Sequence, residues 1–229
     1  ISLVRDGSDL CIAGVFFFCY HNYMKRFILT LIVFACAVTS AVAKKNSDSK
    51  SINFIITTEP SALNCMASQR CKDGVKTIND ISDISSTYPD SNFDNIADEF
   101  NRMLDALDRI GVKVFLGDKK YFPTQYRGIY STKRNTFYLN KGYMSNPNSL
   151  IRTMRHEGWH VAQDCKAGMN NMRLELLVSE HLIPKKYADY VEKVYINEPD
   201  QIPYEREAFF AAFNKDLTQL ALEICARRL

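Results

Sequence analysis

The sequence predicts an α+β fold in which a small N-terminal mixed sheet, with a hairpin at its edge, lies over a long helix and is followed only by helices. Short runs that alternate apolar and polar residues end near Leu139, and from Asn146 onward apolar residues recur every three to four positions. The chain has 229 residues, of which 46% are hydrophobic and 24% charged. This length and composition are typical of one globular domain with its own core.

Four short runs are predicted to be strands of the sheet: 53–56, 112–116, 128–130 and 136–139. The last two are joined by the turn residues 133–135, which makes them a hairpin. An amphipathic helix precedes the second strand and spans 93–110, because its apolar residues recur at spacings of three and four. Ser91 or Asn92 is expected to cap this helix, and Gly111 to end it.

Helices are predicted for the rest of the chain. Asn146 and Pro147 are a strong helix-start signal, so we expect a helix over 150–165 that ends at Gly168. Three further helices are expected at 172–182, 184–195 and 203–228. Pro203 suits the first turn of the last one. Its apolar stripe is predicted to contain Phe209, Phe213, Leu217, Leu220 and Ile224.

The N-terminal region is predicted to direct export, and the folded domain to span 52–229. Residues 24–43 combine a basic start, an apolar run and an Ala-Val-Ala site, which are the parts of a secretory signal peptide cleaved after Ala43. Residues 44–51 read as a polar linker, and residues 1–23 as a non-native upstream extension of the reading frame. The apolar run is short for a membrane span. These features predict a secreted or periplasmic protein.

A lipoprotein is the alternative form, because residues 33–36 loosely resemble a lipobox that ends at Cys36. In that case the same domain would be tethered to a membrane. After signal cleavage we expect no membrane association. The net charge is only +3 and the basic residues are scattered, which argues against a nucleic-acid partner.

Four cysteines follow the signal peptide: Cys65, Cys71, Cys165 and Cys225. An even number in an exported domain predicts two disulfides. Three pairings are possible, and we favour Cys65–Cys71, which closes a small loop, together with Cys165–Cys225. The chain has no C-x-x-C pair, so a cysteine-based zinc site is not expected.

Residues 156–160 read His-Glu-Gly-Trp-His, an HExxH segment in the middle of a predicted helix. Residues four apart share a helix face, so His156 and His160 can hold one Zn²⁺ ion while Glu157 acts as a base. A catalytic zinc needs a third protein ligand. Of the four histidines in the chain, only His181 is also beyond the signal peptide. A carboxylate is therefore the expected third ligand.

The order of helix, strand, hairpin, HExxH helix and later helices is similar to that of the zincin metallopeptidases, specifically the gluzincin type. The resemblance covers about residues 90–215 and depends on His156, His160 and a downstream glutamate. It implies that the sheet lies above the active-site helix and that its edge strand binds extended substrate by backbone pairing. It also implies that a glutamate on a later helix completes the zinc site.

Three glutamates compete for this role. Glu205 ranks first, because Ala208 follows it three residues later, as in several gluzincin families, and because it shares a helix face with Phe209. Glu207 ranks second, since its face is expected to point outward. Glu180 ranks third, at a distance from His160 that is similar to the spacing in thermolysin-like enzymes.

Together these features predict a secreted zinc peptidase that cleaves peptide or protein substrates with a zinc-activated water. Glu157 would accept the proton of the water and pass it to the leaving amine. A catalytically silent, secreted binding module on the same scaffold is the alternative. The sequence carries no signal for side-chain preference, for endo- or exopeptidase action, or for oligomeric state.

Supporting roles are predicted for several neighbours of the motif. Gln163 and Asp164 lie three and four residues beyond His160, where they can orient it, although a surface position is equally expected. Gly158 is expected to let the hairpin approach the helix. The candidate donors to the oxyanion that forms during hydrolysis are His181, Tyr187, Tyr190 and Tyr204.

Overall fold

The structure is a computed structural model that describes Cys65, Cys71 and residues 73–123, 125–169 and 171–229. The described residues belong to one compact unit, Ser51–Leu229. The predicted strand at 53–56 lies outside the described residues, as do the upstream extension, the signal peptide and the linker.

The described strands form a small mixed sheet: β1 (Val75–Thr77), β2 (Lys113–Gly117), β3 (Gly128–Ser131) and β4 (Thr136–Asn140). The strand order is β1-β2-β4-β3, with β2 and β4 parallel and the two outer pairs antiparallel. The predicted hairpin is therefore β3 and β4, and β3 lies at one edge of the sheet.

Six α-helices accompany the sheet in the described part of the chain: α1 (Ile81–Thr87), α2 (Asp94–Ile110), α3 (Pro147–Ala167), α4 (Lys185–Val194), α5 (Ile202–Ala212) and α6 (Leu217–Ala226). Short 3₁₀ turns lie at Lys119–Tyr121, Lys141–Tyr143 and Glu180–Leu182. All four strands precede α3, and only helices follow it. The α+β prediction is confirmed at this level.

Helix α3 begins and ends as its sequence predicts. The Asn146 side chain accepts a hydrogen bond from Ser149 N at 3.0 Å, and Pro147 occupies the first turn, where its missing N–H costs nothing. Gly168 ends the helix with φ 100°, a left-handed conformation that glycine adopts without strain. Residues 156–160 therefore lie well inside a regular helix.

The core lies between the sheet and helices α2, α3 and α6. Its largest fully buried side chains include Phe100, Met103, Leu107, Phe137, Leu139, Leu150, Met154 and Leu222. A buried ion pair crosses this region, because Arg155 donates to both carboxylate oxygens of Glu99 at 2.7 Å. Thr218 Oγ1 in turn donates to the backbone oxygen of Arg155. The face of α3 that carries Arg155 is thus fixed to α2 and α6.

Both favoured disulfides are confirmed. Cys65 pairs with Cys71, and Cys165 pairs with Cys225 at a sequence separation of 60 residues, which joins α3 to α6. In the chain-entropy model the longer loop contributes roughly 4 kcal/mol of stability. Disulfides are compatible with a secreted or periplasmic protein. In the described residues, no helix is long and apolar enough to cross a membrane.

The single long helix predicted over 203–228 is wrong. The chain forms α5 and α6 instead, separated by a break in which Asp216 has φ 63°. Within this break, the Asn214 amide donates to the backbone oxygen of Phe210, and Asp216 N donates to Glu99. Phe213, before the break, and Leu220, after it, do not share one buried stripe and are 49% and 43% exposed.

The helix predicted at 172–182 is also wrong, since only the turn Glu180–Leu182 is helical there. The backbone N–H groups of this segment donate to other elements. Glu175 N donates to the backbone oxygen of Gln163, and Leu177 N and Val178 N donate to the Glu207 carboxylate.

Two elements, β1 and α1, were not predicted, because the stretch before Asn92 is polar and poorly periodic. Helix α1 is short, and Asp80 caps it by accepting a hydrogen bond from Ser82 N. Strand β1 is mostly exposed, and its pairing with β2 defines it as a strand. Neither element carries the apolar periodicity on which a sequence-based prediction depends.

Candidate metal centre

The side chains of His156, His160 and Glu205 converge between α3 and α5. One ligand atom from each lies within 4.8 Å of the other two. Nε2 of His156 is 3.2 Å from Oε2 of Glu205, and Nε2 of His160 is 3.3 Å from Oε1. The structure therefore brings together the HExxH histidines and the glutamate ranked first from the sequence.

Small residues allow the helices to meet at this point. Ala208 and Ala211 of α5 are fully buried against Trp159 of α3. A side-chain carbon added to Gly158 would lie 2.9 Å from Thr218 Cγ2, so this glycine makes room for α6. The expectation that Gly158 admits the hairpin is wrong.

The electrostatics of the three groups favour a bound cation. Burial disfavours the charge on Glu205, but the interactions with His160 and His156 hold its pKa well below the usual range. Burial likewise disfavours the charge on His160, but Glu205 raises its pKa to about 9. Without a metal, the buried Glu205 carboxylate thus favours a proton on His160.

The three side chains could hold a metal ion. In the described part of the chain, no hydrogen bond of good geometry reaches the buried Oε2 atom of Glu205. A buried carboxylate oxygen without such a partner is costly. A cation between Glu205 and the histidines would satisfy it. Two imidazoles and one carboxylate are a typical protein ligand set of catalytic zinc, which leaves a fourth position for water.

Gln163 orients one of the histidines. Its Oε1 atom lies 2.8 Å from His160 Nδ1 and can accept a hydrogen bond from it, which leaves Nε2 facing Glu205 and the metal position. The Gln163 amide group donates to Glu207 Oε2 at 2.9 Å and to the Tyr204 backbone oxygen. This direct contact with His160 supports the orienting role predicted for Gln163.

Glu207 lies behind the metal site, where four N–H groups donate to it. Its carboxylate accepts hydrogen bonds from Trp159 Nε1 at 3.0 Å, from Gln163, from Leu177 N at 3.0 Å and from Val178 N at 2.7 Å. The side chain is almost fully buried. The expectation that Glu207 points outward is wrong. Its hydrogen bonds instead anchor the segment before α4 to α5 and α3.

Glu180 and Asp164 also lie away from the metal position. The Glu180 side chain is 79% exposed and pairs with Arg206. Asp164 is buried and accepts a hydrogen bond from Tyr130 Oη at 2.7 Å, so it contacts the hairpin. Burial raises the pKa of Asp164 to about 6. The expectation that Asp164 orients His160 is not met by any contact in the described residues.

The side chain of Glu157 extends from α3 toward the edge strand β3. A side-chain carbon added to Gly128 would lie 2.7 Å from Glu157 Cγ and 2.7 Å from Thr153 Cγ2, so only glycine allows this close approach. Burial raises the pKa of Glu157, and the two neighbouring histidines oppose that rise. The Tyr130 backbone N–H donates to the same carboxylate.

The outer edge of β3 faces this glutamate. Asn140 N donates to the backbone oxygen of Arg127 at 2.8 Å, which fixes the alternation of hydrogen bonds in the hairpin. The backbone groups of Gly128 and Tyr130 therefore point away from β4. They form a short polar edge beside Glu157.

Two phenols near the site were not predicted. Burial and then the Glu205 carboxylate raise the pKa of Tyr195, with a further contribution from Glu157. Burial, Glu198 and Glu205 raise the pKa of Tyr126. Tyr195 follows α4 in an irregular turn, so no periodicity in the sequence points to it.

The four donors proposed from the sequence lie elsewhere in the fold. His181 is exposed in the turn Glu180–Leu182. The rings of Tyr187 and Tyr190 pack on Phe210 and Phe209. The Tyr204 contact with the site network is made by its backbone oxygen.

No protein-family model matches this chain, and neither the search of curated proteins nor that of solved structures finds a match. The class of the site is therefore defined by its own geometry. Two imidazole nitrogens and a carboxylate converge on one point, beside the buried Glu157 and the edge strand β3.

Proposed function

We propose that the protein is a zinc-dependent peptidase with a zincin-like fold of the gluzincin type. The convergence of His156, His160 and Glu205 is the single observation that carries this proposal. Gln163 behind His160 supports it, because ligand histidines in zinc sites generally donate their second N–H to an acceptor.

The proposed reaction is the hydrolysis of a peptide bond. Zn²⁺ held by the three ligands supplies a Lewis acid that lowers the pKa of water and polarises a carbonyl group. Glu157 takes a proton from the attacking water and delivers it to the leaving amine. Tyr195, whose hydroxyl is close to Glu205 and Glu157, is our candidate donor to the carbonyl oxygen during attack.

The proposed substrate is an extended peptide or protein segment. The outward-facing backbone groups of Gly128 and the backbone oxygen of Tyr130 can pair with it in the manner of a further strand. Such pairing holds the substrate main chain beside Glu157 and leaves its side chains to contact the surrounding surface. We propose that the protein acts after export, in keeping with its two disulfides.

The proposal is tested by zinc content and peptide hydrolysis in matched variants. Glu157→Gln should retain one zinc per chain and lose hydrolysis by about a hundredfold or more, because it removes only the base. His156→Ala should lose zinc as well as activity. Glu180→Gln, on the surface, is the control and should behave as the wild type.

One equivalent of zinc held equally well by His156→Ala would disprove the site. Zinc binding without hydrolysis of any peptide in a broad library would instead favour the alternative function, a catalytically silent binding module. N-terminal sequencing of the exported protein separates cleavage after Ala43 from the lipoprotein form anchored at Cys36.

A further inference from the structure

A row of paired side chains continues from the metal site toward the N-terminal half of α3. Its members are spaced four apart on the two facing segments: His160, His156 and Arg152 on α3, and Glu205, Phe209 and Phe213 on α5 and its C-cap. Glu205 faces the histidines, the Phe209 ring is 4.8 Å from the His156 ring, and Arg152 stacks on Phe213. From the metal position toward the N-terminal end of α3, the surface is thus first aromatic and then cationic.

Arg152 is placed to bind an anion. Its Cζ atom lies 4.5 Å from the centre of the Phe213 ring, and the side chain is exposed. Within the ranges that the structure describes, no acidic side chain pairs with it. A guanidinium that stacks on a ring keeps its in-plane N–H groups free, and these match the two oxygens of a carboxylate. One helical turn, about 6 Å, separates Arg152 from the ligand His156.

Further aromatic rings lie on the same surface as Phe213. Phe213 is 49% exposed and Tyr190 is 52% exposed. Tyr190 contacts Phe209 with ring centres 5.0 Å apart, and Tyr187 contacts Phe213 at 5.8 Å. Clustered aromatic rings that stay exposed beside a metal ligand indicate a surface for an apolar group.

The direction of the edge strand decides which end of a substrate reaches Arg152. Gly128 lies against Thr153, whereas Tyr130 contacts Asp164 further along α3, so β3 and α3 run in the same direction. A peptide that pairs antiparallel to β3, the commoner arrangement, runs the opposite way. Its C-terminal side therefore extends toward Arg152.

We propose that this enzyme is a carboxypeptidase that removes one or two residues from peptides ending in a large apolar side chain. Arg152 binds the terminal carboxylate, while Phe209, Phe213 and Tyr190 contact the terminal side chain. The distance of about 6 Å from His156 to Arg152 spans one to two residues of extended peptide at about 3.3 Å each.

This inference rests on the proposed peptidase function. Water oxygen bonds to the carbonyl carbon and the C–N bond breaks. The proton taken by Glu157 passes to the amino group of the released residue or dipeptide.

Binding of a short product tests the subsite without turnover. Calorimetric titration of zinc-loaded protein with acetyl-phenylalanine and with its amide should show a preference for the acid of about tenfold or more. Arg152→Met keeps an apolar contact with Phe213 but should abolish the preference, and Arg152→Lys should restore part of it. Arg134→Met, an exposed arginine of the hairpin turn, is the matched control.

Equal binding of acid and amide by the wild type would overturn the inference. So would a preference that persists in Arg152→Met, since the carboxylate would then bind elsewhere, for example to the metal itself. Acetyl-alanine should bind at least several-fold more weakly than acetyl-phenylalanine, and equal binding would remove the apolar subsite.

Cleavage separates this inference from the peptidase proposal. Blocked peptides that end in phenylalanine should lose one or two C-terminal residues, whereas their C-terminal amides should react about tenfold or more slowly. Hydrolysis of both at equal rates, or in the middle of long peptides, refutes the carboxypeptidase and keeps the peptidase. Absence of hydrolysis for all peptides refutes the peptidase, while the calorimetric preference still decides whether Arg152 binds carboxylates.

Discussion

Two glutamates of α5 stand two residues apart, yet their surroundings are opposite. Glu207 accepts hydrogen bonds from four N–H groups, whereas Oε2 of Glu205 is buried with no hydrogen bond of good geometry from the described residues. The Glu205 carboxylate instead faces two histidine nitrogens. The number of N–H donors thus separates a carboxylate that supports the fold from one available to a metal.

The largest effect is expected at Glu205. Glu205→Gln replaces the proposed zinc ligand by a neutral amide of the same size. Zinc affinity should therefore fall by more than the 10- to 100-fold that loss of an outer-shell partner typically costs. Competition with a chelator measures this affinity. Glu180→Gln is the surface control. An affinity within threefold of the wild type would show that Glu205 is not a ligand.

Glu207 should affect stability more than zinc. Glu207→Ala leaves the Trp159 indole N–H and two backbone N–H groups buried without an acceptor, which should lower the free energy of unfolding by about 3 kcal/mol. Zinc affinity should fall by about tenfold or less, through Gln163. Denaturant unfolding of metal-free protein gives the first value. Unchanged stability with complete loss of zinc would reverse the roles of the two glutamates.

Asp164 is an intermediate case, a buried carboxyl group with one donor, Tyr130. Burial raises its pKa from an ordinary 3.8 to about 6 in the folded protein. The folded state therefore binds this proton more tightly than the unfolded state. The contribution to stability, about 3 kcal/mol, is greatest below pH 4 and is lost as pH rises through 6.

Asp164→Asn removes this titration, so its stability relative to the wild type should increase between pH 4 and pH 7. Unfolding curves at several pH values measure the difference. Asp108→Asn, on the exposed face of α2, is the control and should leave the pH profile unchanged. A constant difference between Asp164→Asn and wild type over this range would refute the raised pKa.

The smallest effect is expected at Trp159. Trp159→Phe keeps most of the buried ring but removes one of the four donors to Glu207. The free energy of unfolding should fall by about 1 kcal/mol, and zinc affinity should stay within a few-fold of the wild type. Unfolding and zinc competition on one preparation check both. A loss as large as that of Glu207→Ala would mean that this bond alone holds the network.

The predictable parts of the fold are those with local signals. Helix α3 has its cap, its proline and its terminal glycine in the sequence, and the spacing of His156 and His160 defines one face of it. The hairpin and α2 were likewise marked by turn residues and by apolar periodicity. The favoured disulfides followed from the number of cysteines and their positions.

The remaining errors concern contacts that no local pattern encodes. Glu207 is buried because residues from α3 and from the segment before α4 donate to it. The segment before α4 is not helical because its backbone N–H groups donate to the Gln163 backbone oxygen and to the Glu207 carboxylate. Tyr195 reaches the site from an irregular turn, where periodicity gives no information.

The most direct test of the central claim is a crystal structure of the zinc-loaded protein with anomalous diffraction at the zinc edge. Our account predicts one zinc peak about 2.0–2.2 Å from Nε2 of His156, from Nε2 of His160 and from a carboxylate oxygen of Glu205. Glu207 should keep its four hydrogen bonds. A peak bound to Glu207, or one that lacks either histidine, would contradict the account.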